Sequence, residues 1–365
     1  MLEGKRFASI DAIKGIAMIM VILVHYEQCF HLCKWFRYFQ EGCPIFFVAS
    51  GFGIACMLAR RFGGVHDWSD IKKFYLSRLR ALAPAWIFVL ILVYTVNTVM
   101  LSVFGQTLSF GKNRSVSSVL CNLLFLHGLL PFCNNNVMLG GWYIGATIIL
   151  YTLTPMIVAS LRRCKHREVF FVLTSASAMM LRKILWIVFG DGFAMNGFSY
   201  YVFLVHYPSY LLGIILFSDF SESKLSSDQV KQCRPAGIAL YAVAFTCFFS
   251  GKRLYSSWIT ALATYLVLYW MLSKDACHSE NLTGRILIRI GRNSYCIFLI
   301  HGFFAYSFVK LVQSLCALRG IDARTIPFFI ALMPAVVFLS CAGGVLLRWT
   351  IQRLTQFVHK RIEPT

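Results

Sequence analysis

Charge is scarce in this sequence, and acid is scarcest. Of 365 residues only 15 are Asp or Glu, and charged residues make up 14% of the chain. A soluble domain of this size uses about 25% to cover its surface, so an ordinary globular exterior is excluded. The ten-residue apolar/polar alternation of a membrane barrel is also missing. The 13 cysteines form no CxxC pair and no Cys/His ligand spacing. They indicate neither a disulfide framework nor a metal site, and most lie inside apolar blocks as small buried hydrophobes. No basic run is interleaved with stacking aromatics, which argues against nucleic acid even at a net charge of +20. A cleavable signal peptide is not expected, because the first apolar block carries Lys14, His25 and Glu27.

What is present is apolar sequence in blocks. Hydrophobic residues make up 58% of the chain, gathered in runs of about 16–23 residues, long enough to cross a hydrocarbon core of roughly 30 Å. Lipid offers the backbone no hydrogen-bond partner, so such runs fold as helices. The expected fold class is all-α: a polytopic integral membrane bundle of about ten transmembrane helices. They are predicted near 8–30, 42–59, 82–104, 141–161, 168–190, 200–217, 235–250, 254–273, 293–315 and 326–347. The transmembrane domain then occupies 1–347 and a cytoplasmic basic tail 348–365. One further apolar stretch, 116–133, is short, holds His127 and Gly128 midway and reaches Pro131. If it does not span, Lys and Arg fall mostly on the side of the N-terminus. If it does, every later loop changes sides and the bias is lost. The positive-inside rule therefore predicts ten spans, both termini cytoplasmic, and a re-entrant or surface segment at 116–133.

The first block concentrates the chemistry. An ionisable side chain inside a membrane helix costs a few kcal/mol, so it tends to face a bundle interior or a cavity. His25 follows Lys14 by eleven residues, about three turns and roughly 16 Å along the axis, which puts both on one helix face. A cation near the inner surface with an imidazole further out suits a long anionic donor that enters from the cytoplasm. A neutral imidazole is the usual general base for a hydroxyl. The alternatives are that Lys14 snorkels to headgroups and His25 bonds a neighbouring helix.

Five motifs extend this pattern in order. Ser9-Ile10-Asp11-Ala12-Ile13-Lys14-Gly15 leads to His25, and Pro44-Ile45-Phe46-Phe47-Val48-Ala49-Ser50-Gly51-Phe52 follows in the second block. Phe74 to Pro84 carries Arg78 and Arg80. Gly141-Trp142-Tyr143-Ile144 precedes Tyr151 and Pro155, and Ser294-Tyr295-Cys296-Ile297-Phe298-Leu299-Ile300-His301 closes the series. Together they resemble the family-3 membrane acyltransferases, which O-acetylate bacterial surface polysaccharides and related glycans. That resemblance implies a ten-helix bacterial inner-membrane domain and transfer of an acyl group, most often acetyl, from cytosolic acyl-CoA to a glycan hydroxyl at the outer face. Acyl-CoA would be the donor substrate, with no metal, and the bilayer the other partner. Two departures stand out: Lys14 replaces the family's usual Arg, and Arg80 falls one residue from its second arginine, where Ala81 stands. No fused hydrolase-like domain is expected, which predicts a stand-alone enzyme.

The roles this implies are His25 as catalytic base, and Lys14, Arg78, Arg80, Ser50 and His301 around the donor. Trp142 and Tyr143 would meet the acceptor sugar. His301 is expected about 10 Å into its helix, level with Lys14, lining the donor channel. His206 is read as structural, and Glu27 points off the stripe. Direct transfer and an acyl-His intermediate both remain open at this point. The competing class is a transporter of a polysaccharide fragment or lipid-linked precursor, although no convincing internal repeat of the halves is visible. A non-catalytic membrane subunit is the third.

Overall fold

The computed structural model describes residues 7–62, 68–104, 115–274 and 281–362, and among them there is no strand. The helices are α1 (Ala8–Phe30), α2 (Gly42–Phe62), α3 (Trp68–Phe104), the short α4 (Val116–Leu123), α5 (Gly141–Arg163), α6 (Arg167–Ala194), the single turn α7 (Phe198–Tyr201), α8 (Phe203–Ser221), α9 (Ser227–Phe249), α10 (Arg253–Ser273), α11 (Leu282–Gly302), α12 (Val309–Ala317) and α13 (Ile326–Ile362). A π-helical segment, Phe303–Phe308, joins α11 to α12 without a break. Among the described residues seven helical stretches are long and apolar enough to cross a membrane, one of which runs from Arg167 to Ser221 and so takes in both α6 and α8. The protein is a multi-pass helical membrane protein. Side chains such as Val172, Leu173, Ile187 and Val188 of α6 point outward, as lipid-facing residues do.

Three helices begin well before the predicted positions. α3 starts at Trp68 rather than 82, so the basic stretch with Arg78 and Arg80 is itself helical. α9 starts at Ser227 rather than 235, because Ser226 and Gln229 form a reciprocal capping box. α11 starts at Leu282 rather than 293, where the Asn281 side chain accepts the Gly284 N–H at 2.6 Å. Hydropathy locates the apolar middle of a helix, whereas capping chemistry sets its first turn. At the other end of the chain, residues 348–362 continue α13 as helix, and the Arg348 guanidinium donates to the Arg292 carbonyl at 2.9 Å.

The 116–133 stretch does not form a span-length helix. α4 has eight residues, about 12 Å of helix. The chain then turns back against α5, where Gly128 lies on the backbone of Gly145. His127 is buried, stacks on Trp86 at 5.1 Å and donates from Nε2 to the Gly141 carbonyl at 3.0 Å.

Two glycine-sealed seams organise the centre. In one, Gly51 of α2 lies on the Tyr210 carbonyl of α8, and Gly213 of α8 lies on the Val48 carbonyl. In the other, Gly15 of α1 lies on the Leu287 carbonyl and Gly291 of α11 on the Asp11 carbonyl. A side chain at any of these four positions would meet backbone, so only glycine allows the approach. α1 and α11 run parallel: Asp11 meets Gly291, His25 meets His301 and Cys29 meets Ala305, in the same order along both. α1 ends where His31 adopts a left-handed conformation and donates its N–H to the Glu27 carbonyl at 2.8 Å. The buried Glu27 carboxylate accepts the Cys33 N–H at 2.9 Å, which ties the turn and leaves Glu27 off the polar stripe, as expected.

Candidate active site

The parallel register of α1 and α11 decides what the polar stripe of α1 faces. Lys14 borders a chamber of about 120 Å³ with Phe46, Ser50, Tyr143, Tyr151, Ser294, Tyr295 and Phe298. Five of the motif segments read from the sequence therefore contribute to one region, since Arg78 of α3 lies beside Tyr151. The Arg78 guanidinium also donates to Ser77 Oγ at 3.1 Å. Ser50 lies beside both Tyr143 and Tyr151, while its neighbour Gly51 provides the close approach to α8. In this Ser-Gly pair the glycine packs and the serine faces the chamber.

Arg80 is exposed and lines a separate, larger cavity of about 580 Å³, together with Arg292, Asn293, Tyr295 and Arg348. Tyr295 is common to both cavities and is fixed by donating its hydroxyl to the Leu82 carbonyl at 2.8 Å. Arg292 and Arg348 escaped the sequence reading, because each counted only as a loop or tail charge. Arg292 Nε also reaches Asp11 Oδ2 at 3.2 Å, bracing the start of α1.

Across the chamber, Phe298 packs on Tyr143 at 4.9 Å and on His301 at 5.3 Å. The His301 ring is 5.2 Å from that of His25. This corrects the expected depth of His301: it sits level with His25, not with Lys14. The reason is the early start of α11, which places His301 nineteen residues into the helix, roughly 28 Å from its beginning. The two imidazoles come from chain positions 276 residues apart, so no local spacing could have announced the pair.

The hydrogen bonds assign both tautomers. His301 Nδ1 lies 2.6 Å from the Phe298 carbonyl and so carries the proton, which leaves Nε2 as a lone pair. That Nε2 is buried and makes no hydrogen bond among the described residues. His25 Nδ1 faces Gln28 Oε1 at 3.2 Å and the Tyr306 hydroxyl at 3.1 Å. Tyr306 donates to Gln28 Oε1, so its oxygen accepts from His25 Nδ1–H. His25 Nε2 is then also the basic nitrogen. Tyr306 belongs to the π-helical segment and Gln28 lies one turn past His25.

The predicted acceptor residues have a different setting. Trp142 is buried, stacked on Tyr201 at 4.6 Å and near His206 at 5.1 Å. Tyr143 lines the Lys14 chamber. His206 is held between Trp142 and Phe47, the latter stacked on it at 4.7 Å.

One chain of contacts thus crosses the protein, from a basic cavity to a lysine chamber and on to two imidazoles with open basic nitrogens. The family model described as "Acyltransferase domain" matches residues 7–346. The chain belongs to the family-3 acyltransferases. Similar curated proteins include O-acetyltransferase OatA of Staphylococcus aureus strain NCTC 8325 / PS 47, 23% identical over 331 residues that cover 86% of this chain and 52% of that protein. A putative O-acetyltransferase of S. aureus strain COL is 21% identical over 393 aligned positions, covering 98% of this chain and 61% of its own length. The chain spans about half to three-fifths of the curated relatives it matches. No solved structure matches. For this family-3 acyltransferase, the motifs quoted from the sequence fall within the matched region.

Proposed function

We propose that the protein is a ten-span membrane O-acyltransferase that moves an acyl group, best acetyl, from acyl-CoA to a hydroxyl of a glycan. The donor enters from the cytoplasmic side, where both termini lie, and the acceptor arrives at the outer face of a bacterial inner membrane. The observation that carries this reading is the unbroken series Arg80/Arg292/Arg348, Tyr295, Lys14, Phe298, His301, His25. Guanidinium groups at the mouth suit the CoA phosphates, which they bind through paired N–H donors. Lys14 meets the pantetheine carbonyls further in, and the thioester reaches the two histidines.

Nε2 of His25 takes the proton of the acceptor hydroxyl as its oxygen attacks the thioester carbonyl carbon. A new C–O bond forms, the C–S bond breaks, and the proton returns from His25 to the departing CoA sulfur. The Nδ1–H of His25, held by Gln28 and Tyr306, keeps the ring in the tautomer this requires and orients the imidazolium once formed. Phe298 and Tyr143 exclude water from the thioester, which limits hydrolysis.

Membranes containing the protein, given radiolabelled acetyl-CoA, should pass label to a glycan or lipid-linked glycan, and His25→Gln should abolish the transfer. Acetyl-CoA should raise the melting temperature of the purified protein. Full transfer by the His25→Gln variant, or no stabilisation by acetyl-CoA, would overturn the assignment.

A further inference from the structure

Beyond His25 the contact series continues into a cavity that the sequence reading did not foresee. It measures about 680 Å³ and is lined by Gln28, His31, Lys310, Gln313, Asp322 and Arg324, among others. That volume falls within the ~300–1,000 Å³ of small-molecule sites. Its floor is Gln28, whose Oε1 is 3.2 Å from His25 Nδ1. Its wall is α12, tied to α1 where Gln313 Nε2 donates to the Cys29 carbonyl at 3.4 Å.

The charge on this wall is mainly positive. Lys310 lies within a helical stretch long and apolar enough to cross a membrane, where a lysine calls for a counter-charge or a task. Arg324 comes from the loop before α13. The one carboxylate present, Asp322, accepts the Arg324 backbone N–H at 2.8 Å. Among the described residues neither Lys310 nor Arg324 takes part in an ion pair. Two cations thus face one carboxylate in a cavity whose floor adjoins the proposed base.

We infer that this cavity holds the acceptor, and that the acceptor carries an anionic group, a carboxylate or a phosphate, bound by Lys310 and Arg324 while the rest of it extends past Gln28 to bring a hydroxyl to Nε2 of His25. The inference rests on the acyl-transfer reading for the hydroxyl chemistry, but the anion preference is a property of the cavity alone. A sugar acid and a phosphate-bearing glycan offer the same recognition chemistry here. The reaction balances as before: the acceptor oxygen gains the acyl carbon, and its proton leaves through His25 to the CoA sulfur.

The test uses three probes on the full-length protein in nanodiscs: a galacturonate disaccharide, its neutral methyl ester, and a galactose disaccharide bearing a phosphate monoester. Binding is measured by calorimetry and acetyl transfer by label from acetyl-CoA. The free acid or the phosphate should bind at least tenfold more tightly than the ester, and whichever binds better identifies the source of the anion. Lys310→Ala and Arg324→Ala should each erase most of that preference through KM, while Lys310→Arg keeps it and acetyl-CoA stabilises every variant equally. Equal binding of acid and ester, or a preference untouched by either alanine, would overturn the inference and leave the cations as headgroup contacts. Preferential binding of the acid with no labelled product would instead keep the anion site and remove the acyl-transfer reading.

Discussion

The two glycine-sealed seams, α2 on α8 and α1 on α11, begin alike and end differently. Around Gly51 and Gly213 the first is filled with apolar side chains: Phe47, Phe52, Leu211 and Ile214 are all essentially buried. The second is just as tight at Gly15 and Gly291, but it carries Lys14 beside Gly15 and, about three turns further out, His25 opposite His301. Close helix approach is therefore not what distinguishes a working seam from a packing one. The difference lies in which side chains follow the glycines. In the first seam they complete a core, and in the second they bring two imidazoles side by side.

This contrast can be broken most directly at His25. His25→Gln keeps the ring's approximate volume and the contact with Gln28 but removes the base, so label transfer should fall by about 10²–10⁴-fold with little change in melting temperature. Loss of stability in place of activity would make His25 a packing residue like Phe47. His301→Gln should lower transfer less than His25→Gln and leave acetyl-CoA stabilisation in place; an unaltered rate would separate His301 from the site. Next come the glycines. Gly291→Ala and Gly51→Ala each drive a methyl into backbone, at Asp11 and Tyr210 respectively, and should destabilise the protein by about 1–3 kcal/mol. Only Gly291→Ala should also depress transfer, because only its seam sets the His25–His301 spacing. Activity and thermal unfolding measured on both variants would check this. The smallest effect is expected at Gly53, where a methyl would only touch Lys14 Nζ at 3.8 Å. Gly53→Ala should leave stability within about 0.5 kcal/mol, and a large loss there would show that the chamber tolerates no added volume.

Much of the architecture was legible because lipid imposes a simple rule: apolar runs long enough to span fold as helices. Each predicted segment corresponds to a long helix of the structure. The starts of α3, α9 and α11 were misplaced because they extend through charged residues such as Lys72, Arg78 and Arg289, where hydropathy falls while helix capping and propensity persist. That single error carried His301 to the wrong depth. Lys14, Ser50, Tyr143 and Arg78 were found as residues of motifs and do gather around one chamber. Gln28, Tyr306 and Arg348 were not, since what makes them notable is contact across the fold, 278 residues apart for Tyr306 with Gln28. Trp142, read from the sequence as meeting the acceptor sugar, stacks within an aromatic cluster, a setting that an aromatic at a helix start cannot announce.

The π-helical segment at Phe303–Phe308 has an effect on angle as well as on Tyr306. A π-turn adds a residue without ending the helix, and each α-helical residue turns the chain by roughly 100°. Everything after Phe308 is therefore rotated against the frame set by α11. That phase shift aims Lys310 and Gln313 at the end of α1 while His301, on the earlier part of the same rod, also faces α1. Deleting one residue from the segment would restore a uniform pitch and swing the cationic wall away from the cavity, leaving the two imidazoles in place. One surplus residue thus lets a single continuous helix serve two differently oriented chambers.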